Sequence, residues 1–329
     1  MTQNLTKICK KAAEIIHSFP KSTRIRVVSH YDADGITAAA IISKALHRAG
    51  YDFHTSLMRN PFDKGLEKVS KEKNKLIIFT DMGSGQIEAI ENMKVKSIII
   101  DHHQAKKEKT SKDVLQINAN LCGINGNYEA CGASLAYSLA IALDPKNSDL
   151  AALAMAGATG DKQYIGKIRG YNKTILENAV KNGVLKEETE IKLSNGSIYD
   201  SLYYTVDPYY SGLSGNKEKI KEVLEKLNMS KDAKFNNLSE EKKTKLRSYL
   251  LFLLIKNGCE KNILDTVIRP RYFSKNLKGE LESFADLLDS CGKGGNRGIG
   301  LSICLDDKLA FEEAKKLEKD YKQEILDEL

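Results

Sequence analysis

The sequence predicts an α/β protein: a parallel sheet with helices on both faces, followed across a cleft by a smaller α/β domain. Three observations predict it. Strand-like and helix-like stretches alternate through the first half, the pattern of a parallel sheet with covering helices. The strand-like stretches are short continuous apolar runs, as in sheets buried on both sides. Around residues 185–201 the sequence turns polar and charged, and beyond it the helical stretches become lysine-rich. A chain of 329 residues also suits two domains better than one. The predicted division is a first domain over 1–190, a linker over 191–215 and a second domain over 216–329.

Residues 24–29 read as a first buried strand, followed by a helix over 36–49. Phe53–Met58 reads as a second strand. Residues 76–79 form a compact apolar strand, with a short helix over 86–92. Residues 97–100 are a strand of the same kind and 114–118 a weaker one. Helices follow at 132–143, 150–159 and 172–182. In the second half, 217–227 and 240–255 read as amphipathic helices from their apolar spacing. A glycine-rich stretch over 292–300 precedes an apolar strand over 299–305, and a charged helix over 309–325 comes last.

Composition excludes several classes. Hydrophobic residues at 41% and charged residues at 29% are ordinary for a globular protein. The net charge of +7 permits an anionic partner without requiring one. No apolar run approaches the roughly 20 residues needed to span a bilayer, and the N-terminus lacks the apolar core of a signal peptide. The expectation is a cytoplasmic protein with no membrane partner. None of the six cysteines forms a C-x-x-C pair, so buried, reduced thiols are expected rather than a zinc site.

Three predicted strands end in residues that ligate metals. The first runs into His30-Tyr31-Asp32-Ala33-Asp34-Gly35, the next into Thr80-Asp81, and a third into Asp101-His102-His103. Ligands of open parallel sheets bind beyond the carboxyl ends of the strands. One Asp after a strand is usually a helix cap, but three loaded strand ends are hard to attribute to capping. Carboxylates packed together repel, and divalent cations relieve that repulsion. Mixed carboxylate and imidazole ligation favours manganese, with magnesium as a substitute. The spacing of Asp32 and Asp34 leaves both near one strand end, where they serve two adjacent ions. The helix over 150–159 breaks at Gly160 and leaves Asp161 at its C-terminal end. A carboxylate is disfavoured there by the helix dipole, so its placement also points to a nearby cation. His17, His47 and His54 lack such neighbours and read as solvated or packing residues.

His30-x-Asp32-x-Asp34-Gly35, Asp81, Asp101-His102-His103 and Gly160-Asp161 together resemble the four ordered motifs of the DHH phosphoesterases. Asp207-Pro208-Tyr209-Tyr210-Ser211-Gly212-Leu213 and the stretch Cys291-Gly292-Lys293 through Leu305 look like the archaeal RecJ-like nucleases, a group that includes the GINS-associated nuclease. The resemblance implies two divalent ions, manganese preferred and magnesium possible. One would be held by His30, Asp32 and Asp81, and the other by Asp34, Asp81, His102 and Asp161. Asp101 would orient a histidine, and His103 would face the phosphate. Two ions about 3.5–4 Å apart lower the pKa of a shared water and clamp phosphoryl oxygens for in-line displacement.

The implied activity is an exonuclease releasing nucleotides from single-stranded DNA or RNA in replication or repair, with GINS or another replication protein as a possible partner. Lys293, Arg297, Arg269 and Arg271 are the candidate phosphate contacts, since arginine forks match phosphate and glycines allow close approach. Tyr209 and Tyr210 either stack on bases or pack at the interdomain joint. The chain departs from the Gly-Gly-Gly-His motif of the bacterial branches, having Gly292-Lys293-Gly294-Gly295-Asn296 without a histidine. The alternatives are an oligoribonuclease or small-nucleotide phosphoesterase, and a structural partner of a replicative helicase.

Overall fold

The buried apolar runs become the strands of one parallel sheet. The structure is a computed structural model describing residues 3–59, 64–193, 196–261, 264 and 267–329. In order come α1 (Gln3–His17), β1 (Ile25–His30), α2 (Ala33–Arg48), β2 (Phe53–Met58), α3 (Lys64–Ser70), β3 (Leu76–Thr80) and α4 (Ile87–Asn92). Then follow β4 (Lys96–Asp101), β5 (Val114–Asn118), α5 (Gly132–Leu143), α6 (Ala151–Gly160) and α7 (Gly170–Lys181). The sheet order is β2-β1-β3-β4-β5, and every adjacent pair is parallel.

Side chains alternate across the strands, so both faces need cover. Val28, Ile77, Phe79 and Ile99 point to one face and pack with Leu66 and Val69 of α3 and Ile87 and Ile90 of α4. Val27, Ile78, Ile98 and Ile100 alternate to the other face and are fully buried, on the side where α2 and α5 pack. Each such residue contributes roughly 1.5–3 kcal/mol by leaving water.

Register places the chemistry. Ser29 pairs with Thr80 and Thr80 with Ile100. The next residues, His30, Asp81 and Asp101, therefore stand level at the carboxyl edge. Asp32 caps α2 by accepting from Gly35 N at 2.9 Å, so the helix begins earlier than residue 36. Asp34 consequently lies in its first turn, not on extended chain.

The division of the chain differs from the one the sequence predicts. One unit comprises Met1–Lys186 and Ser274–Ala314, and the other Glu187–Phe273 and Lys315–Leu329. The returning segment of the first unit holds β8 (Gly279–Glu280), α11 (Leu281–Lys293), α12 (Arg297–Cys304) and the start of α13 (Lys308–Glu328). Residues 297–304 are helical, not the strand expected over 299–305. An apolar run this short suits either state. Its burial at Gly300, Ile303 and Cys304 has helical spacing, and α12 packs on α2 and α11. The apolar stripe of α11, from Leu281 through Leu288, packs on α6 and α2. That burial draws the segment into the first unit.

The second unit contains β6 (Lys186–Ile191), α8 (Ile198–Tyr203), α9 (Lys217–Lys226), α10 (Glu240–Lys256) and β7 (Ile268–Ser274), with β6 and β7 as neighbours. Ser197, Asn216 and Ser239 cap α8, α9 and α10. Its core includes Ile198, Leu202, Tyr210, Ile220, Leu246 and Leu250. The expected linker over 191–215 thus contains a helix, and residues 194 and 195 lie outside the described residues. Five of the cysteines are buried free thiols, and Cys259 is a half-buried one. Among the described residues no helix is long and apolar enough to cross a membrane.

Candidate metal centre

Asp81 follows β3 with φ 55°, a left-handed conformation that Asp tolerates better than most residues. That turn sends its side chain into the edge of the sheet, where it is 2% exposed. Asp81 Oδ2 lies 3.5 Å from His30 Nδ1, and Oδ1 lies 3.2 Å from His102 Nε2 and 4.0 Å from His103 Nδ1. His30 Nδ1 also sits 2.8 Å from Asp32 Oδ2. His102 Nε2 is 3.7 Å from Asp34 Oδ2, and its Nδ1 is 3.8 Å from Asp161 Oδ2.

Donor atoms of His30, Asp32 and Asp81 lie within 4.8 Å of one another, as do those of Asp34, His102 and Asp161 and those of Asp81, His102 and His103. The structure thus brings together all of the predicted ligands, from four separate segments. Asp101 stands apart from these groups. Its Oδ1 accepts from His103 Nδ1 at 2.7 Å and its Oδ2 from Ser84 N at 2.9 Å. Both oxygens face away from ligation, and Asp101 holds the His103 ring. Although burial opposes it, that partnership keeps the Asp101 carboxyl at about 2. Asp101 in turn raises the His103 imidazolium.

The supports are mostly residues that motif reasoning missed. Asp34 accepts from Gly132 N at 2.7 Å and Ala133 N at 2.9 Å, using the unsatisfied donors and positive end of α5. A Cβ at Gly132 would stand 2.7 Å from Asp81 Cβ, so only glycine admits both carboxylates. His102 Nδ1 donates to the Gly126 carbonyl at 2.6 Å, which points Nε2 toward Asp81. Asn120 Nδ2 donates to the His102 carbonyl at 3.0 Å. Gln163 Nε2 donates to Asp161 Oδ2 at 2.7 Å, and Asn172 Nδ2 to Gln163 Oε1 at 2.6 Å. Ser134 completes that chain by donating to Asn172. The one sequence signal among them was the run of Asn and Gly over residues 118–126, whose turn-forming chemistry is unspecific.

The residues fit divalent ions. Asp81 Oδ1 and His30 Nδ1 are buried without a hydrogen bond, despite their close neighbours, so the atoms approach without hydrogen-bond geometry. Oxygen and imidazole donors are mixed, with no thiolate within the three groups, a set that suits manganese or magnesium.

Without ions the cluster carries a charge penalty with a definite sign. Burial, then the Asp81 charge, raises the Asp34 carboxyl to about 7. Burial, then Asp34, raises Asp161 to about 7 as well. A carboxyl whose folded value exceeds its unfolded value of 3.8 binds its proton more tightly when folded. Stability is therefore lost as pH rises from about 4 to about 7. At His30 burial opposes the charge, but Asp32 and Asp81 lift it to about 10. At His102 burial again opposes, and Asp81 and Asp34 lift it well above 6.5. Those contributions are full below 6.5 and are lost as pH rises through the raised values. Both effects act in one direction. In EDTA the melting temperature falls between about pH 5 and about pH 9, and saturating manganese flattens that slope. Calorimetry across pH checks this; a melting temperature that rises with pH in EDTA would contradict it.

The four predicted phosphate contacts divide. Arg271 is 2% exposed, and its Nε donates to the Glu190 carbonyl at 2.9 Å, so it is a packing residue of the second unit and not a surface contact. Arg269 lies on β7 of the same unit. Lys293 and Arg297 lie in the first unit. Lys293 Nζ pairs with Asp289 at 2.6 Å, and Asp289 also accepts from Ala33 N at 2.8 Å. The Arg297 guanidinium lies 5.6 Å from the Tyr31 ring, with its Nε buried and unpartnered. Tyr210 is fully buried in the core of the second unit, whereas Tyr209 is exposed.

A parallel α/β sheet whose strand ends converge on a carboxylate and imidazole cluster has the donor set that suits divalent metal ions. Residues 24–158 match the DHH family, N-terminal domain. An uncharacterized protein of Methanocaldococcus jannaschii is 29% identical over 312 residues, covering 93% of this chain and 69% of that protein. The single-stranded-DNA-specific exonuclease RecJ of Escherichia coli is 28% identical over 146 residues, covering 41% of this chain and 25% of that enzyme. Among solved structures, exonuclease RecJ bound to manganese superposes with TM-score 0.54 at 16% identity, covering 96% of this chain and 64% of that one. CDC45 from Entamoeba histolytica superposes with TM-score 0.66 at 14% identity, covering 97% and 73%. At these identities the superpositions carry the fold alone. Residues 24–158 thus resemble the DHH-family N-terminal domain, and the chain is similar to RecJ proteins in fold. It spans a quarter of the E. coli enzyme and less than two thirds of the manganese-bound RecJ chain.

Proposed function

We propose that the protein is a metal-dependent phosphoesterase that removes nucleotides from an end of single-stranded DNA or RNA, in replication or repair. The observation that carries this reading is the placement of Asp81 between two ligand groups, with His30 and Asp32 on one side and His102 on the other. His30, Asp32 and Asp81 would hold one divalent ion, and Asp34, Asp81, His102 and Asp161 a second. Such ions supply activated water and charge neutralisation at a phosphoryl group. The chain's own residues do the rest. His102, fixed through Gly126, keeps Nε2 toward the ions. His103 is 59% exposed, and its Nδ1 is committed to Asp101. Its other ring nitrogen is then the one left to donate to a phosphate oxygen or the leaving group. Arg297 and Lys293 are the proposed phosphate contacts of this unit; the unpartnered Nε of Arg297 supports its part.

The single-stranded-DNA specificity of E. coli RecJ favours a polymer substrate, and the manganese in the solved RecJ favours that ion. The likeness to CDC45 in fold supports a second reading, in which the chain also docks on replication proteins such as GINS. Purified protein incubated with oligonucleotides labelled at either end, with manganese or magnesium, is expected to yield mononucleotides from one end. Preference for dinucleotides would move the assignment to a small-substrate enzyme. Absence of any metal-dependent cleavage, with pull-down of replication proteins intact, would leave only the scaffold role.

A further inference from the structure

The two main ligand groups are supported differently. Asp34, His102 and Asp161 bring their donor atoms together in one group, and His30, Asp32 and Asp81 in another. Behind the first group stand three buried polar side chains, Gln163, Asn172 and Ser134. Gln163 Nε2 lies 2.7 Å from Asp161 Oδ2, 2.8 Å from the Gly126 carbonyl and 3.2 Å from the Ala130 carbonyl. The Gly126 carbonyl is the acceptor that also holds His102 Nδ1. At the far end, Ser134 sits in the first turn of α5 beside Gly132 and Ala133, whose N–H groups hold Asp34. One side-chain relay thus meets the supports of all three ligands. Among the described residues, none of its hydrogen bonds runs to His30, Asp32 or Asp81.

The surroundings fix the polarity of that relay. Carbonyl oxygens only accept, so Gly126 and Ala130 require the NH2 end of the Gln163 amide. Its other end, Oε1, accepts from Asn172 Nδ2 at 2.6 Å, and Asn172 Oδ1 accepts from Ser134. An N–H is thereby turned toward the Asp161 carboxylate. Packing alone does not ask for three buried polar side chains, which cost free energy unless each is paired. A partner held on a ligand's free side sets that ligand's orientation and its affinity for metal.

We propose that Gln163, held by Asn172 and Ser134, is a positioning residue that sets the affinity of one ion site, that of Asp34, His102 and Asp161, separately from the other. It touches neither substrate nor ion, and acts through Asp161 and through the carbonyl that holds His102. The inference rests on the two-ion reading of the centre, and its test requires no turnover.

Calorimetric titration of the full chain with manganese, read together with low-temperature electron paramagnetic resonance, tests it. The wild type is expected to take up two ions and to show the spectrum of a coupled pair. Gln163→Met weakens one ion by about 10–100-fold and leaves the other within about threefold. Between those two affinities its spectrum is that of isolated manganese. Asp161→Ala weakens the same ion, and adding Gln163→Met to it costs much less than in the wild type, because both act at one site. Ser134→Ala removes a single hydroxyl from the far end of the relay and weakens that ion about twofold or more; it carries the test should Gln163→Met fail to fold. Ser138→Ala is the control: it lies one turn along α5, donates to Tyr171 at 2.7 Å outside the relay, and leaves both ions within about twofold. Equal weakening of both ions, no selective loss in Gln163→Met or Ser134→Ala, the same loss in Ser138→Ala, or full additivity with Asp161→Ala would overturn the proposal. A wild type that binds fewer than two ions sinks the two-ion reading and this inference with it. Two bound ions without cleavage sink the nuclease reading and leave this inference standing.

Discussion

Asp81→Asn is expected to lower kcat/KM for metal-dependent phosphodiester cleavage by about 10³-fold or more, at least ~4 kcal/mol of transition-state stabilisation, with the fold intact. Asp81 is the one carboxylate whose two oxygens face both ligand groups, toward His30 on one side and His102 on the other. Asparagine keeps the volume and accepts the left-handed φ of 55°, so the backbone has no reason to move. What it loses is the negative charge and one of two anionic oxygens. In EDTA the variant's melting temperature should depend less on pH than the wild type's, because Asp81 no longer lifts His30, His102 and Asp34. In manganese it should gain less on metal addition than the wild type. A variant that cleaves within about tenfold of the wild-type rate would remove this cluster from the chemistry.

Gly126→Ala is expected to damage the same centre without touching a ligand. A Cβ at residue 126 would sit 1.9 Å from the His102 carbonyl oxygen, closer than any real contact, and backbone rather than a flexible side chain must yield. The Gly126 carbonyl is also the acceptor that orients His102. Overpacking of this kind costs about 1–3 kcal/mol of stability, and loss of an orienting partner costs roughly 10–100-fold in metal affinity. Manganese titration followed by calorimetry reads both quantities. Unchanged affinity and melting temperature would show that the turn over residues 120–126 does not support His102.

Much of the candidate site was legible because its residues are local to strand ends. Each of the three motif segments follows an apolar run long enough to mark a strand, and parallel register then sets them level. What the sequence could not announce was non-local. Gly126, Gly132 and Gln163 act through backbone approach or amide contacts, and neither glycine nor glutamine carries a distinctive spacing. The run over 299–305 reads equally as strand or helix until α2 and α11 are there to pack against it. The amphipathic helix α1 is marked only by a narrow apolar stripe, Leu5, Cys9, Ala12, Ala13 and Ile16, three of whose members are small. Arg271 looked like a phosphate contact from its charge, whereas burial against the Glu190 carbonyl gives it another task.

The return of residues 274–314 to the first unit has a consequence for how the protein is made. Asp289 supplies the acceptor for Ala33 N across 256 positions of sequence, and a Cβ at Gly292 would stand 2.1 Å from the Tyr31 carbonyl. During translation every metal ligand leaves the ribosome long before these partners exist. Contacts so distant in sequence form late and slowly. A gene fragment ended near residue 190 would encode all the ligands and still leave the turn at Tyr31 and Ala33 without its clasp.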